Sequence, residues 1–347
     1  MVWRRKLIGG KSRPDHHPRV IAWGERFRGV EHFLNGAPAA GVLARVFDFE
    51  LKEYWRLGML ARSKTAVPEL ARRADARLFR VRTILEGNLQ RAIAHAPVDI
   101  DVRLDTLFEG SFFGFSKKQG TSLRLPLRTC IPTKLCAGGC YAHDVLDATP
   151  AAVVRGAING WIADRYERGN EQVRAELAIR LRPHIKRAIR SAKSELTNLL
   201  DGFTRRAFIR FSHVGEIVHT PIFANSVAKM VRDISEGEVD CVVYTRHKRA
   251  VELDSNLWIV NFTLDPVSED RKSWAPTNSR IVYSAFGGKT SSIAEVNFLE
   301  HHRHGHLFQI GDGRACPATI PQATSRTCDG NKCNRCFVPK DMLYPDA

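Results

Sequence analysis

Hydrophobic and polar positions divide the chain into two textures. Up to about residue 100, apolar residues recur at helical spacing. In AAGVLARVFDFELKEYWRLGMLA they return every three or four positions. VPELARRADARLFRVRTILEGNLQRAIAHA continues the pattern, with Pro68 in a first turn, where its missing N–H is no loss. Residues 1–30 are basic and rich in Gly, Pro and His and read as an irregular arm, and Pro97 closes the helical block. Beyond residue 105 the apolar runs become short, β-branched and aromatic. TSLRLPLRTC reads as a strand ending at Cys130, and a long helical stretch follows from about 150 to 200. RRAFIRFSHVGE reads as a strand and IFANSVAKMVRDISEG as a helix. CVVYTRH, LWIVNFTLD, RIVYSAFGG and AEVNFLEHH read as further strands.

Strands that alternate with helices predict a parallel sheet, and so an α/β fold built as a partial (βα) barrel. Three regions follow: a basic, mostly helical lobe over 1–105, a barrel-like domain over 106–310 with a helical insertion at about 145–202, and a Cys-rich tail over 311–347. Each apolar run ends in polar residues: Cys130, Ser212-His213, Thr245-Arg246, Thr263 to Asp265, and Gly287-Gly288. In a parallel architecture the loops after the strands share one face and build the active site there.

Charge adds a partner class. The 347 residues hold 53 basic and 37 acidic side chains, a net +16. The first hundred carry 19 against 10, which is +9 of that excess. Such a field favours polyanions, and a nucleotide or nucleic acid is the expected partner. No apolar run is long enough to span a bilayer. The opening MVWRRKLIGGKSRPDHH lacks the apolar stretch of a signal peptide, so a cytoplasmic protein with no membrane partner is expected. In that reducing compartment, clustered cysteines are more often metal ligands than disulfides.

The chain has eight cysteines, and seven fall into two groups. Cys130, Cys136 and Cys140 stand in RTCIPTKLCAGGCYAHD, spaced C-x5-C-x3-C. Cys316, Cys328, Cys333 and Cys336 form a C-x11-C-x4-C-x2-C tetrad. Three thiolates leave one coordination position open, which suits chemistry, whereas four can close a structural site. Gly138-Gly139 let backbone approach a bulky cluster, and the gaps are wider than zinc usually takes, so a [4Fe–4S] cluster is preferred at the triad. The alternative is zinc completed by a residue such as His143. At the tetrad, an auxiliary iron–sulfur cluster and zinc both stand. Cys241, alone in VDCVVYT, reads as a buried strand residue, and His301, His302, His304 and His306 as a solvated loop. His213 and Glu216 in SHVGEI are candidate catalytic groups beside the cluster. Arg246 is a candidate for a ligand's carboxylate or phosphate. The chain has no Walker A loop, G-x-G-x-x-G unit or G-x-S-x-G elbow.

LCAGGCYA after a strand, with later strands ending in SHVGEI and YTRH and a terminal C-x4-C-x2-C, resembles the phage "gene product eighty-eight" family over about residues 110–337. More distantly the arrangement is similar to radical S-adenosylmethionine (SAM) enzymes. Cys130, Cys136 and Cys140 match their triad, with wider gaps. Tyr141 matches their aromatic position, and Val214-Gly215-Glu216 matches their Gly-Gly-Glu segment imperfectly. This resemblance implies a barrel of radical-SAM type, SAM chelated at an open iron, Gly215 and Glu216 holding its amino group, and an external electron donor. Two functions are therefore carried forward. One is an iron–sulfur enzyme acting on a nucleotide or nucleic-acid-related substrate. The other is a non-catalytic, metal-stabilised nucleic-acid-binding protein.

Overall fold

The structure is a computed structural model that describes residues 68–95, 104, 107–108, 112–116, 120–138, 140, 142, 150–196, 206–285 and 290–299. The described residues fall into two compact units. One draws on Met1–Gly110, Leu125–Arg128 and Lys134–Ile162, the other on Ser111–Arg124, Thr129–Thr133 and Ala163–Ala347.

In the first unit, α1 (Pro68–His95) begins at the predicted proline. Leu78, Leu85, Leu89 and Ile93 return at helical spacing and are buried. Between them lies a buried ion pair, Arg82 Nε to Glu86 Oε1 at 3.0 Å. The other Glu86 oxygen accepts the backbone N–H of Leu127. A buried carboxylate is costly unless hydrogen-bonded, and here both oxygens are used. The short helix α2 (Lys134–Gly138) follows, then α3 (Pro150–Arg168), whose last turns belong to the second unit. Gly160 of α3 lies against Pro126: a Cβ there would stand 2.5 Å from the proline Cγ.

The second unit is built on one seven-stranded sheet whose strands lie in chain order. These are β1 (Phe113–Ser116), β2 (Gly120–Arg124), β3 (Ala207–Val214), β4 (Val239–Thr245), β5 (Trp258–Leu264), β6 (Arg280–Ala285) and β7 (Val296–Leu299). β1 and β2 form an antiparallel hairpin, and β2 to β7 run parallel. The α/β class is as expected. Among the described residues the sheet is open, since β1 and β7 are not paired. Residues 125–206, which include α3 and α4 (Glu171–Leu196), separate β2 from β3, the place given to the helical insertion.

Two expectations are corrected. The first long strand does not reach Cys130: it ends at Arg124, and a 3-10 turn spans Leu127–Thr129. Pro126 lacks the N–H a ladder requires and stops it. Nor do helices alternate with all the strands. Between β3 and β4 stands α5 (Pro221–Ser235), but residues 246–257 and 265–279 hold only 3-10 turns. Those segments are near the shortest that a helical crossover takes.

α5 shows why its sequence is helical. Pro221 opens it, and Phe223, Ala224, Val227, Ala228 and Val231 form one buried stripe. Glu167 Oε2 accepts the Phe223 N–H at 3.1 Å, satisfying one of the first-turn donors that lack a partner within the helix. Glu236 and Gly237 end the helix at positive φ. On the sheet beneath, Trp258 Nε1 donates to Asn225 of α5 at 3.1 Å, and its ring meets Phe211 edge-on at 5.0 Å. The opposite sheet face carries Phe208, Val242, Val282 and Val296, with Tyr244, Ile259 and Phe298 partly buried against them.

Candidate active site

The carboxyl ends of β3, β4 and β5 and the segment Thr129–Thr133 all lie in the second unit, and their polar residues meet. Gly215, directly after β3, has φ 73°, a conformation that costs any residue with a Cβ. That turn carries Glu216 inward. Its backbone N–H donates to Thr129 Oγ1 at 2.7 Å. Its carboxylate accepts the Thr245 hydroxyl from the end of β4, and the backbone N–H groups of Ile131 and Arg246 also serve it. Glu216 therefore touches the residue on each side of Cys130. Burial pushes its carboxyl up to about 7, against the pull of the Thr245 hydrogen bond and the Arg246 charge.

A second clamp lies beside the first. Arg246 donates to Asp265 Oδ2 at 2.7 Å, and the Thr133 hydroxyl donates to the same oxygen. Ser268 Oγ donates to Asp265 Oδ1 at 2.8 Å. Burial works to raise the Asp265 carboxyl, but the Thr133 bond, the Arg246 charge and the Ser268 bond outweigh it and hold it below the usual carboxylate range. The carboxylate that Arg246 engages is thus the protein's own. His247 Nδ1 accepts the Arg249 N–H at 3.1 Å. Burial, His219 and Arg249 push its imidazole down to about 4, so it is neutral at physiological pH.

The predicted residues are dispersed accordingly. Glu216, Gly215 and Arg246 share the strand-end cluster with the segment holding Cys130. His213 takes a different partner: its Nδ1 lies 3.2 Å from Ser122 Oγ, where the register between β2 and β3 shifts. Cys130 and Cys136 are half-buried and Cys140 is buried, and no disulfide joins them. Cys130 belongs to the second unit, Cys136 and Cys140 to the first. Cys241 is buried in β4, as expected. Tyr141, His143, the histidine tract, and Cys316, Cys328, Cys333 and Cys336 lie outside the described residues. Thr129, Thr133 and Ser268 carry no motif. Their one signal was position, as polar residues within a few places of a cysteine or of a strand end.

Among the described residues, no three His, Cys, Asp or Glu side chains are grouped as a metal ion would require. The triad's chemistry still fits a thiophilic cofactor, with three thiols outside disulfides on one stretch of eleven residues. No protein-family model matches the chain, and neither does any curated protein or solved structure. No helix among the described residues is long and apolar enough to cross a membrane.

Proposed function

We propose that the protein is an iron–sulfur enzyme of radical-SAM-like architecture acting on a nucleotide or nucleic-acid-related substrate. The observation that carries this reading is Glu216, held by Thr129 and Ile131 on either side of Cys130. That contact joins two sequence segments 87 residues apart. The run of six parallel strands in chain order, with its polar residues at the carboxyl ends, supports the same reading.

Cys130, Cys136 and Cys140 would hold the cluster. The chemistry such a cluster would supply is one-electron reduction of SAM, with an external donor as the source of the electron. The chain's own residues do the rest. Gly215 supplies the turn that no residue with a Cβ makes without strain. Glu216 offers a desolvated carboxylate to an ammonium group, and its raised pKa is what such a cation would pull down. The Arg246–Asp265 clamp fixes the strand ends that carry them. The tail tetrad would hold a second cluster or zinc.

The test is anaerobic purification with iron, sulfide and zinc analysis, then electron paramagnetic resonance of the reduced protein with and without SAM. About four or eight irons per chain and a spectrum altered by SAM are expected. Zinc alone, or a spectrum and a SAM pool both untouched, overturns the enzyme reading. A second reading, a metal-stabilised nucleic-acid-binding protein without catalysis, is favoured by the saturation of Glu216, whose carboxylate already has three internal donors.

A further inference from the structure

The sheet face opposite α5 carries a second group of chemically able side chains, which the strand-end clamps do not use. Arg210 of β3 is paired with Val242 of β4, so it stands next to Tyr244 across the ladder. Its guanidinium carbon lies 4.2 Å from the centre of the Tyr244 ring. That stack holds one face of the guanidinium. Among the described residues its buried Nε has no hydrogen-bond partner, and no carboxylate lies within ion-pair distance of Arg210. A half-buried guanidinium with donors unspent is unusual, because desolvating a cation is costly unless an anion answers it.

The surroundings are positive and aromatic. Ser122 is the partner of Arg210 on β2, and His213 adjoins it, with Nδ1 and Oγ 3.2 Å apart. Burial, then the charges of Arg124 and Arg210, push the His213 imidazole down to about 3. It is therefore neutral at physiological pH, and both charges acting on it are positive. On the other side of Tyr244, Phe298 of β7 stands at 6.1 Å between ring centres, and Ile259 packs on the same apolar patch. Tyr244, Ile259 and Phe298 are all partly exposed.

We propose that Arg210, His213 and Tyr244, with Ser122 and Phe298 beside them, form a recognition site for a nucleoside monophosphate. A phosphate monoester is a dianion, and two guanidinium charges reach this spot. The arginine fork is already oriented by its stack on Tyr244, so little order is lost when it binds an oxyanion. The neutral imidazole and the Ser122 hydroxyl offer uncharged polar groups to the remaining oxygens. Phe298 offers a flat ring to the base, the usual way a protein holds an unpaired ring, and Ile259 adds apolar area beside it. The site deepens the substrate half of the function proposed above and rests on that reading only there, since it uses none of the cysteines.

The experiment is calorimetric titration of the full-length protein, as purified, with AMP, adenosine and inorganic phosphate. AMP should bind, and adenosine should bind at least about tenfold more weakly, for want of the charge-assisted hydrogen bonds. Arg210→Met should weaken AMP by about tenfold or more while leaving the urea midpoint unchanged. Should that variant fail to fold, Arg210→Lys, which keeps the charge and loses the fork, should still weaken AMP measurably. Phe298→Ala should weaken AMP but not inorganic phosphate. AMP and adenosine binding alike, no AMP binding, or either arginine variant binding as the parent does would overturn the site. Metal content is read separately, so an iron-free protein that binds AMP refutes the enzyme reading alone, and an iron protein indifferent to AMP refutes this site alone.

Discussion

Glu216 is the residue on which the site turns, and its titration is a direct handle on it. Burial raises its carboxyl to about 7 in the folded chain, above its value when unfolded. The folded state then binds more protons than the unfolded one between roughly pH 4.5 and 7. This group's contribution to stability therefore falls as pH rises through that window. The ceiling on the loss is about 3 kcal/mol. Glu216→Gln, which cannot ionise, should flatten that part of the stability-against-pH curve, as measured by urea melts from pH 4 to 8, while weakening any binding of SAM. Gly215→Ala should cost about 1–2 kcal/mol at φ 73°, measured the same way. At this scale the sequence was informative where a short polar run closed an apolar strand, as in SHVGEI. It was silent on Thr129 and Thr133, single hydroxyls whose importance comes from what the fold sets opposite them. For His213 the sequence did not show which partner the fold would set beside it: the register shift between β2 and β3 brings it to Ser122.

At the scale of elements, two features can be tested against the usual trend. Helical Gly→Ala changes normally stabilise by about 0.5–1 kcal/mol. Gly156→Ala of α3 should follow that rule, because its nearest neighbour would be 3.5 Å away. Gly160→Ala should reverse it and destabilise by about 1–3 kcal/mol, because the Pro126 ring would stand at 2.5 Å and cannot swing aside. Paired denaturant titrations of the two variants decide it. The clamp between β4 and β5 should behave as a buried pair: Asp265→Ala strands the Arg246 charge, and about 3–5 kcal/mol should be lost. The strands themselves were legible because β3 to β7 are short runs rich in β-branched and aromatic residues. β1 escaped because FGFS is four residues long, too short a run to stand out, and the connections between β4, β5 and β6 hold 3-10 turns where an alternating pattern led one to expect helices.

For the whole molecule, the +16 charge sets how it should meet a polyanion. Affinity for a single-stranded oligonucleotide should fall steeply between 50 and 200 mM salt, about 300-fold if six phosphates are engaged. A fluorescence-anisotropy series in salt measures the slope, and a flat series removes the polyanion partner. The polyanion partner is an expectation from composition; the division of the triad between two units was not legible, since spacing in sequence says nothing of which unit each cysteine joins. The strand order has a consequence for synthesis. Every parallel strand from β4 onward pairs with the one made just before it, so on the ribosome each finds its template already exposed. Among the described strands, only β3 must find a partner made long before, across residues 125–206. The β1–β2 hairpin would wait through the translation of that whole segment. Arrest of the nascent chain before Ala207 should leave the hairpin accessible to protease, and arrest well beyond Thr245, once β3 and β4 have left the ribosome, should protect it.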